Sequence, residues 1–267
     1  MNHGIELAFA QHRGLLARDQ QDALLVAGAV SQSPDLRTRS VVSESRDGLC
    51  AVADGVAISP YPQRASRTVL EALCEIGPQH DDLLQDGWIG PRLIRRHVHP
   101  ALCRALAGDR RTRGSACTLA LLQWRAGRFS VLNVGDSRVY RIDRAGRWQQ
   151  LSRDHTYFQS MVERGEIAAD QYVGQLYHDL EHMLGADDAE DDFAIHWRPG
   201  DWTPEETFLI CTDGLHDTLG QEALEALFRT ERPLKAQAAV FLDAVLEAGA
   251  PDNVSLILGR LANTRTA

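Results

Sequence analysis

The stretch TFLICTDGLHD, residues 207–217, is apolar through most of its first half and then places Asp213 and Asp217 four apart, with a glycine after the first. A carboxylate at the end of a buried run is costly unless it is paired, hydrogen-bonded or bound to a cation, and this stretch holds no lysine or arginine. Alone, Asp213-Gly214 reads as the opening of a turn, because Asp-Gly is a common turn dipeptide. The arrangement recurs, however. GLCAVADG ends at Asp54-Gly55, FSVLNVGDS carries Asp136 after another apolar run, and APDNVSLILG sets Asp252-Asn253 just before a final one. If these aspartates meet at one rim, they repel one another at neutral pH unless they are protonated or neutralised by cations. A carboxylate set without a His/Cys cluster at ligand spacing suits magnesium or manganese rather than zinc. Two such ions sharing a carboxylate lower the pKa of a water between them and clamp a phosphoryl group for in-line attack, a hydrolysis that needs no protein nucleophile. Gly55 and Gly214 are read as tight-turn residues that aim the preceding carboxylates, and Asn253 as a hydrogen-bonding partner for a carboxylate or a loop.

The elements that must position these residues come from a chain of 267 residues, 44% hydrophobic, enough for a substantial core. A net charge of −9 and a pI near 5.6 argue against nucleic-acid and membrane-surface partners, which favour concentrated positive charge. The dense basic run GDRRTRG, 108–114, reads as a solvated loop between a helix and a strand. The five cysteines, Cys50, Cys74, Cys103, Cys117 and Cys211, form no CxxC pair and sit mostly in apolar runs, which implies buried free thiols in a reducing compartment. The opening MNHGIELAFAQHRG lacks the pattern of a secretory leader and no stretch is long and apolar enough to cross a bilayer, so the cytoplasm is the expected location.

Strand-like runs at 5–12, 22–28, 40–45 and 48–55 are followed by two amphipathic helical segments, 64–77 and 90–108, the second interrupted by Pro100. Further strands are expected at 115–124, 128–136 and 138–143, with RAGR at 125–128 as a hairpin turn. ETFLICTDG supplies another, two helices follow near 221–229 and 233–248, and NVSLILGRL closes the chain as a strand. Two antiparallel groups of strands with paired helices between them predict an α+β fold, two sheets packed together with helices outside, in a single domain spanning 1–267.

The ordered set QQDA (20–23), AVADGV (51–56), GSACTLALL (114–122), NVGDSRVYRI (133–142), LSRDHT (151–156), ERGEI (163–167), LICTDGLHD (209–217) and PDNVSLIL (251–258) resembles the PPM family, the type-2C metal-dependent protein serine/threonine phosphatases, in its bacterial form. NVGDSRVY, CTDGLHD and DNVS in that order are specific together, and the likeness spans nearly the whole chain. It implies a four-layer α-β-β-α sandwich with a binuclear magnesium or manganese centre at one end. Carried over, Asp54 bridges the two metals, the Gly55 carbonyl ligates one, Asp213 and Asp252 bind the other, and Asp22 contributes through metal-bound water. Asp54, Asp213 and Asp252 are thus the expected catalytic core, and Asp136, Asp213 and Asp217 match the positions that hold a third, weaker metal in many bacterial members. The segment 156–185 occupies the place of the family's flap, an insertion beside the active site; its other reading is a helix and loop packed for stability.

Two departures bear on the chemistry. The family's phosphate-holding arginine, five residues before the first aspartate, is replaced by Ala17, leaving Arg18 as the candidate with Arg13 nearby. After Asp54-Gly55 the chain continues VAISPYPQRAS, and Val56 cannot donate a proton to a leaving group. His155 and His216 are candidates for that role by neighbourhood, whereas His97 and His99 read as structural. The leading expectation is hydrolysis of phosphoserine and phosphothreonine on proteins, opposing a serine/threonine kinase. A phosphoprotein-binding regulatory module with weak catalysis, and hydrolysis of small phosphorylated metabolites, are the alternatives.

Overall fold

The computed structural model describes residues 4–168, 171, 179–187 and 192–261. In chain order the first strands are β1 (Ile5–His12), β2 (Ala23–Val26), β3 (Ala29–Ser31), β4 (Asp35–Ser43) and β5 (Asp47–Ala53). Then come helix α1 (Pro62–Cys74), a 3-10 turn at Pro78–Leu83, the short α2 (Pro91–Leu93), a π-helical turn at Ile94–Val98 and α3 (His99–Leu106). Strands β6 (Ala116–Cys117), β7 (Leu119–Arg125), β8 (Arg128–Val134), β9 (Arg138–Ile142) and β10 (Trp148–Gln150) lead to α4 (Tyr157–Glu163). The remainder is β11 (Leu184–Gly185), β12 (His196–Asp201), β13 (Thr207–Cys211), α5 (Asp213–Leu227), α6 (Leu234–Glu247) and β14 (Val254–Leu261).

The strands form two six-stranded sheets, ordered β10-β9-β13-β14-β1-β4 and β12-β8-β7-β5-β2-β3, and a separate short pair β11-β6, with every strand pair antiparallel. The central strands are buried on both faces, which is why they read as continuous apolar runs rather than as alternating ones. In β13, Phe208 and Ile210 point into the layer between the sheets, where Leu7, Val52, Leu122, Val131 and Ile257 meet them. Leu209 and Cys211 point the other way, onto α5 and α6 through Leu215, Leu224, Phe241 and Val245. The second sheet does the same: Ala51, Ala53, Leu119 and Leu121 pack against Val69, Leu70, Leu93 and Leu102 of the first helical layer. The result is the expected α+β architecture, two antiparallel sheets face to face with helices on each outer face.

Several local expectations are corrected. The strand expected at 115–124 is broken between Cys117 and Leu119, where Thr118 turns its hydroxyl to the backbone amide of Asp54. The helix expected near 221 begins eight residues earlier, at Asp213, and carries a break at Gly220, whose φ of 75° is non-helical. The second helical segment is regular only from His99, after a π-helical turn. Cys74 is exposed and Cys103 half-buried, although all five thiols are free as expected. The hairpin at 125–128 forms as read, with Ala126 and Gly127 both at positive φ, the backbone that a primed two-residue turn demands. The basic run near 110 does join α3 to β6, and its Arg111 is spent on Asp109 within the loop. Of the flap-like segment, 169–170 and 172–178 lie outside the described residues. Among the described residues, no helix is long and apolar enough to cross a membrane.

Candidate active site

The strand ends explain the aspartates. Ala23 pairs with Ala53, Val52 with Ala120, Leu119 with Val134 and Cys211 with Leu256. In antiparallel sheets those pairings bring the start of β2 and the ends of β5 and β8 to one edge, and the end of β13 and the start of β14 to the same edge of the facing sheet. Asp22, Asp54, Asp136, Asp213 and Asp252 are the residues at or next to those ends. Asp54, Asp136, Asp213 and Asp252 line a single cavity of about 520 Å³, together with Gln21, Gly55, Val56, Ala57, Ile58, Thr118, Tyr157, Asp179, Leu180 and Met183. Among the described residues, no lysine, arginine or histidine is in that lining.

Asp22 is fully buried behind this cavity. Thr212 Oγ1 donates to its Oδ2 at 2.9 Å, while Oδ1 has no hydrogen-bond partner. The Oδ1 of Asp213 is likewise buried and unpartnered. Burial, then the neighbouring Asp213, pushes Asp22 up from 3.8 to about 7. Burial and Asp213 also hold Asp54 and Asp136 well above the usual carboxylate range, and raise Asp252. Asp213 is therefore the shared repulsive neighbour of the whole set. Asp217, next on α5, is exposed and accepts a hydrogen bond from His216 Nδ1 at 2.8 Å.

The supports are built from main chain and short polar side chains. Thr118 ties down Asp54: its amide donates to the Asp54 carbonyl at 2.8 Å, its Oγ1 accepts from the Asp54 amide at 3.1 Å, and the same hydroxyl lies 2.7 Å from Ser137 Oγ. Asn253 serves both a carboxylate and the loop: its backbone amide donates to Asp252 Oδ1 at 2.7 Å, and its side chain binds the loop. Its Oδ1 accepts from the Gln21 amide at 2.5 Å, and its Nδ2 donates to the carbonyls of Arg13 at 2.6 Å and Asp19 at 3.1 Å. Gly55 and Gly214 lack the positive φ expected of tight-turn residues. They are needed for space: a Cβ on Gly214 would stand 1.8 Å from the Asn253 carbonyl oxygen, and one on Gly55 2.6 Å from the Pro62 backbone. Thr118 and Thr212 escaped sequence reading because a threonine at a strand end has no distinguishing pattern.

The arginine and histidine candidates sit elsewhere. Arg18 is exposed on the loop between β1 and β2, and its carbonyl accepts from Arg13 Nη1 at 3.1 Å. Neither arginine lines the cavity. His155 is buried, its Nδ1 accepts from the Gly135 amide at 3.0 Å, and burial pushes it down to about 3, so it stays neutral. His216 uses both ring nitrogens, on Asp217 and on the Asp136 carbonyl at 3.2 Å. His97 and His99 bind the carbonyls of Ala72 and Gly185, in keeping with a structural reading.

A set of hard oxygen donors with two orphaned, buried carboxylate oxygens, and among the described lining residues no cationic side chain, fits divalent cations such as manganese or magnesium. Among the described residues, no group of three or more His, Cys, Asp and Glu side chains is gathered tightly enough to hold an ion unaided, so an ion there would need further oxygen donors such as main-chain carbonyls or water.

Comparison with known proteins gives a consistent result. Over 216 residues the chain is 28% identical to the serine/threonine protein phosphatase PstP of Mycobacterium tuberculosis, covering 79% of this chain and 40% of that protein. The chain thus spans about two fifths of the length of this curated relative. The crystal structure of Mycobacterium tuberculosis PstP/Ppp superposes with a TM-score of 0.75 at 22% identity, covering 97% of this chain and 100% of that one. The catalytic domain of PstP in complex with two manganese ions superposes with a TM-score of 0.72 at 23% identity, covering 98% and 100%. The family model described as protein phosphatase 2C matches residues 34–252, and the chain belongs to that family, the PPM phosphatases, in its bacterial form.

Proposed function

We propose that this chain hydrolyses phosphoserine and phosphothreonine in proteins at a centre of two manganese or magnesium ions. The observation that carries the reading is the convergence of Asp54, Asp136, Asp213 and Asp252 on one cavity, with no cationic side chain among its described lining residues and with Asp22 buried behind it. Asp54 would bridge the two ions, the Gly55 carbonyl would hold one, Asp213 and Asp252 the other, and Asp22 would contribute from one step further out. Asp136, Asp213 and Asp217 would take a third, weaker ion. When bound, the cations supply compensating charge, a water nucleophile at neutral pH and a clamp on the phosphoryl oxygens.

The chain's own contribution is positional. Thr212 holds Asp22 from the facing sheet, Thr118 locks the backbone of Asp54, and Asn253 ties the loop carrying Arg18 to the start of β14. Arg18 is the proposed phosphate-holding arginine, supported by its place three residues before the cavity-lining Gln21. His155, held neutral, supplies no leaving-group proton in this arrangement, whereas His216 is committed at both ring nitrogens, to Asp217 and to the Asp136 carbonyl. The partners in this reading are phosphoproteins modified by an opposing serine/threonine kinase, and the five free thiols agree with a cytoplasmic site of action.

Phosphate release from a phosphothreonine peptide by metal-stripped protein, before and after manganese or magnesium is added, tests the reading. Turnover that appears with metal and disappears with chelator is expected. A folded sample that binds metal and releases no phosphate would make the chain a phosphoprotein-binding module instead.

A further inference from the structure

The segment after Asp54-Gly55 is the part of the cavity least explained by metal or phosphate chemistry. Val56, Ala57 and Ile58 line the same cavity as the carboxylates, and Ile58 is 96% exposed. Tyr157, 50% exposed, lines the same cavity together with Leu180 and Met183, and Leu180 is bridged to Thr156, the neighbour of Tyr157. Scattered exposed apolar residues are ordinary on a protein surface. Here two of the five large exposed apolar side chains among the described residues, Ile58 and Tyr157, border one polar cavity.

Neither is on a slack loop that happens to face outward. Ile58 sits at the tip of a turn closed by the Ser59 amide donating to the Val56 carbonyl at 2.8 Å. That turn is fixed on both sides: the Val56 amide donates to the Ala116 carbonyl at 2.9 Å, and the Ala116 amide donates to Ser59 Oγ at 3.1 Å. Tyr157 is the first residue of α4, behind the capping Thr156, whose Oγ1 accepts from the Gln159 amide at 3.2 Å. Its own amide donates to the Asp179 carbonyl at 3.2 Å. Apolar side chains held rigidly in water gain only when something apolar covers them, and rigid presentation spares the ordering cost at that moment. The cavity of about 520 Å³ is also large enough to take a side chain in addition to a phosphoryl group.

We propose that Ile58 and Tyr157, with Leu180 and Met183, form an apolar subsite that selects phosphoproteins carrying an apolar side chain next to the phosphorylated residue. This rests on the phosphatase reading above. It assigns a role to the segment 56–61 that follows Asp54-Gly55, and it places substrate selection on β5's exit loop as much as on α4. An acidic neighbour is disfavoured at the same place, because Asp179 adds a carboxylate to the mouth.

The test compares two phosphothreonine peptides, identical except for leucine or serine on both sides of the phosphothreonine, hydrolysed by the full chain with manganese. The leucine peptide is expected to show about tenfold higher kcat/KM, the scale of discrimination a small apolar contact supplies. Ile58→Ser and Tyr157→Ser should each bring the ratio of the two peptides toward one. The ratio cancels any common effect on the chemistry, and Ile58 is too exposed for serine to disturb the fold. A ratio near one in the native chain, or a ratio unmoved by both substitutions, overturns the subsite while leaving the phosphatase reading intact. Hydrolysis of neither peptide sinks the phosphatase reading and the subsite with it.

Discussion

Thr212 Oγ1 reaches across from the end of β13 to Asp22 Oδ2 at the start of β2, joining the two sheets at 2.9 Å and leaving the second oxygen of Asp22 without a partner. The hydroxyl is itself fixed, since it accepts from the Ser255 amide at 3.1 Å. A buried carboxylate that is half satisfied is a liability for folding. Its persistence beside four other carboxylates makes sense where cation binding, not stability, sets the arrangement.

That trade predicts opposite effects of one substitution. Asp213 raises the proton affinity of Asp22, Asp54, Asp136 and Asp252. Asp213→Asn should therefore stabilise the metal-stripped protein, by about 1 kcal/mol, through lost repulsion. The same change should cut metal-dependent turnover by about a hundredfold or more, the several kcal/mol that phosphoryl charge stabilisation supplies. Thermal unfolding in chelator and phosphate release with manganese read the two effects separately. A variant that is both less stable and fully active would contradict the assignment.

The acid-base behaviour of Asp22 sets a pH dependence. Its folded pKa of about 7 lies above the ordinary 3.8, so the folded state holds a proton that the unfolded chain has released. Stability from this group is complete below about 3.8 and is lost as the pH rises toward 7. Metal-stripped protein in chelator should thus unfold more easily at neutral pH than near pH 5. Asp22→Asn should flatten that slope. Equal slopes in the two proteins would show that other groups control the window.

Sequence legibility divides along physical lines. β13 and β14 were readable because burial on both faces leaves an unbroken apolar run. Asp213 was readable as a site residue for the same reason, since a carboxylate ending such a run needs an explanation. The start of α5 was hidden because Gly220 breaks the helical pattern and the Asp-Gly pair imitates a turn. β3, β10 and β12 lie at sheet edges, half-exposed, and are either only three residues long or largely polar, so they carry no strong alternation. The roles of Thr118 and Asn253 depend on contacts 64 and 232 residues away in the chain, which no local pattern encodes.

Asn253 offers a test of how the loop before Asp22 is held. Its side chain makes hydrogen bonds to Gln21, Arg13 and Asp19, and it is only 3% exposed. Asn253→Ala removes them together and leaves the Gln21 amide and the carbonyls of Arg13 and Asp19 without these partners, at a cost of about 1–3 kcal/mol. Urea unfolding should show that loss, with turnover falling because Asp22 and Gln21 are no longer fixed. Undiminished stability would mean that water takes over those backbone groups without penalty.

Arg18 tests the phosphate-holding role itself. It is exposed, it does not line the cavity, and yet it lies on the loop that Asn253 pins beside the carboxylates. A guanidinium on such a loop can swing onto a bound phosphoryl group and make the bidentate contact that arginine favours. Arg18→Ala should then lower kcat/KM by about tenfold to a hundredfold, the value of a charge-assisted hydrogen bond of about 1.5–3 kcal/mol, without altering stability. Arg18→Lys should recover only part of it, because a lysine offers one point charge where arginine offers a planar pair of donors. If Arg18→Ala is silent and Arg13→Ala carries the loss, the contact comes from the other side of the Arg13–Arg18 link. Silence in both would leave phosphate binding to the metal centre alone.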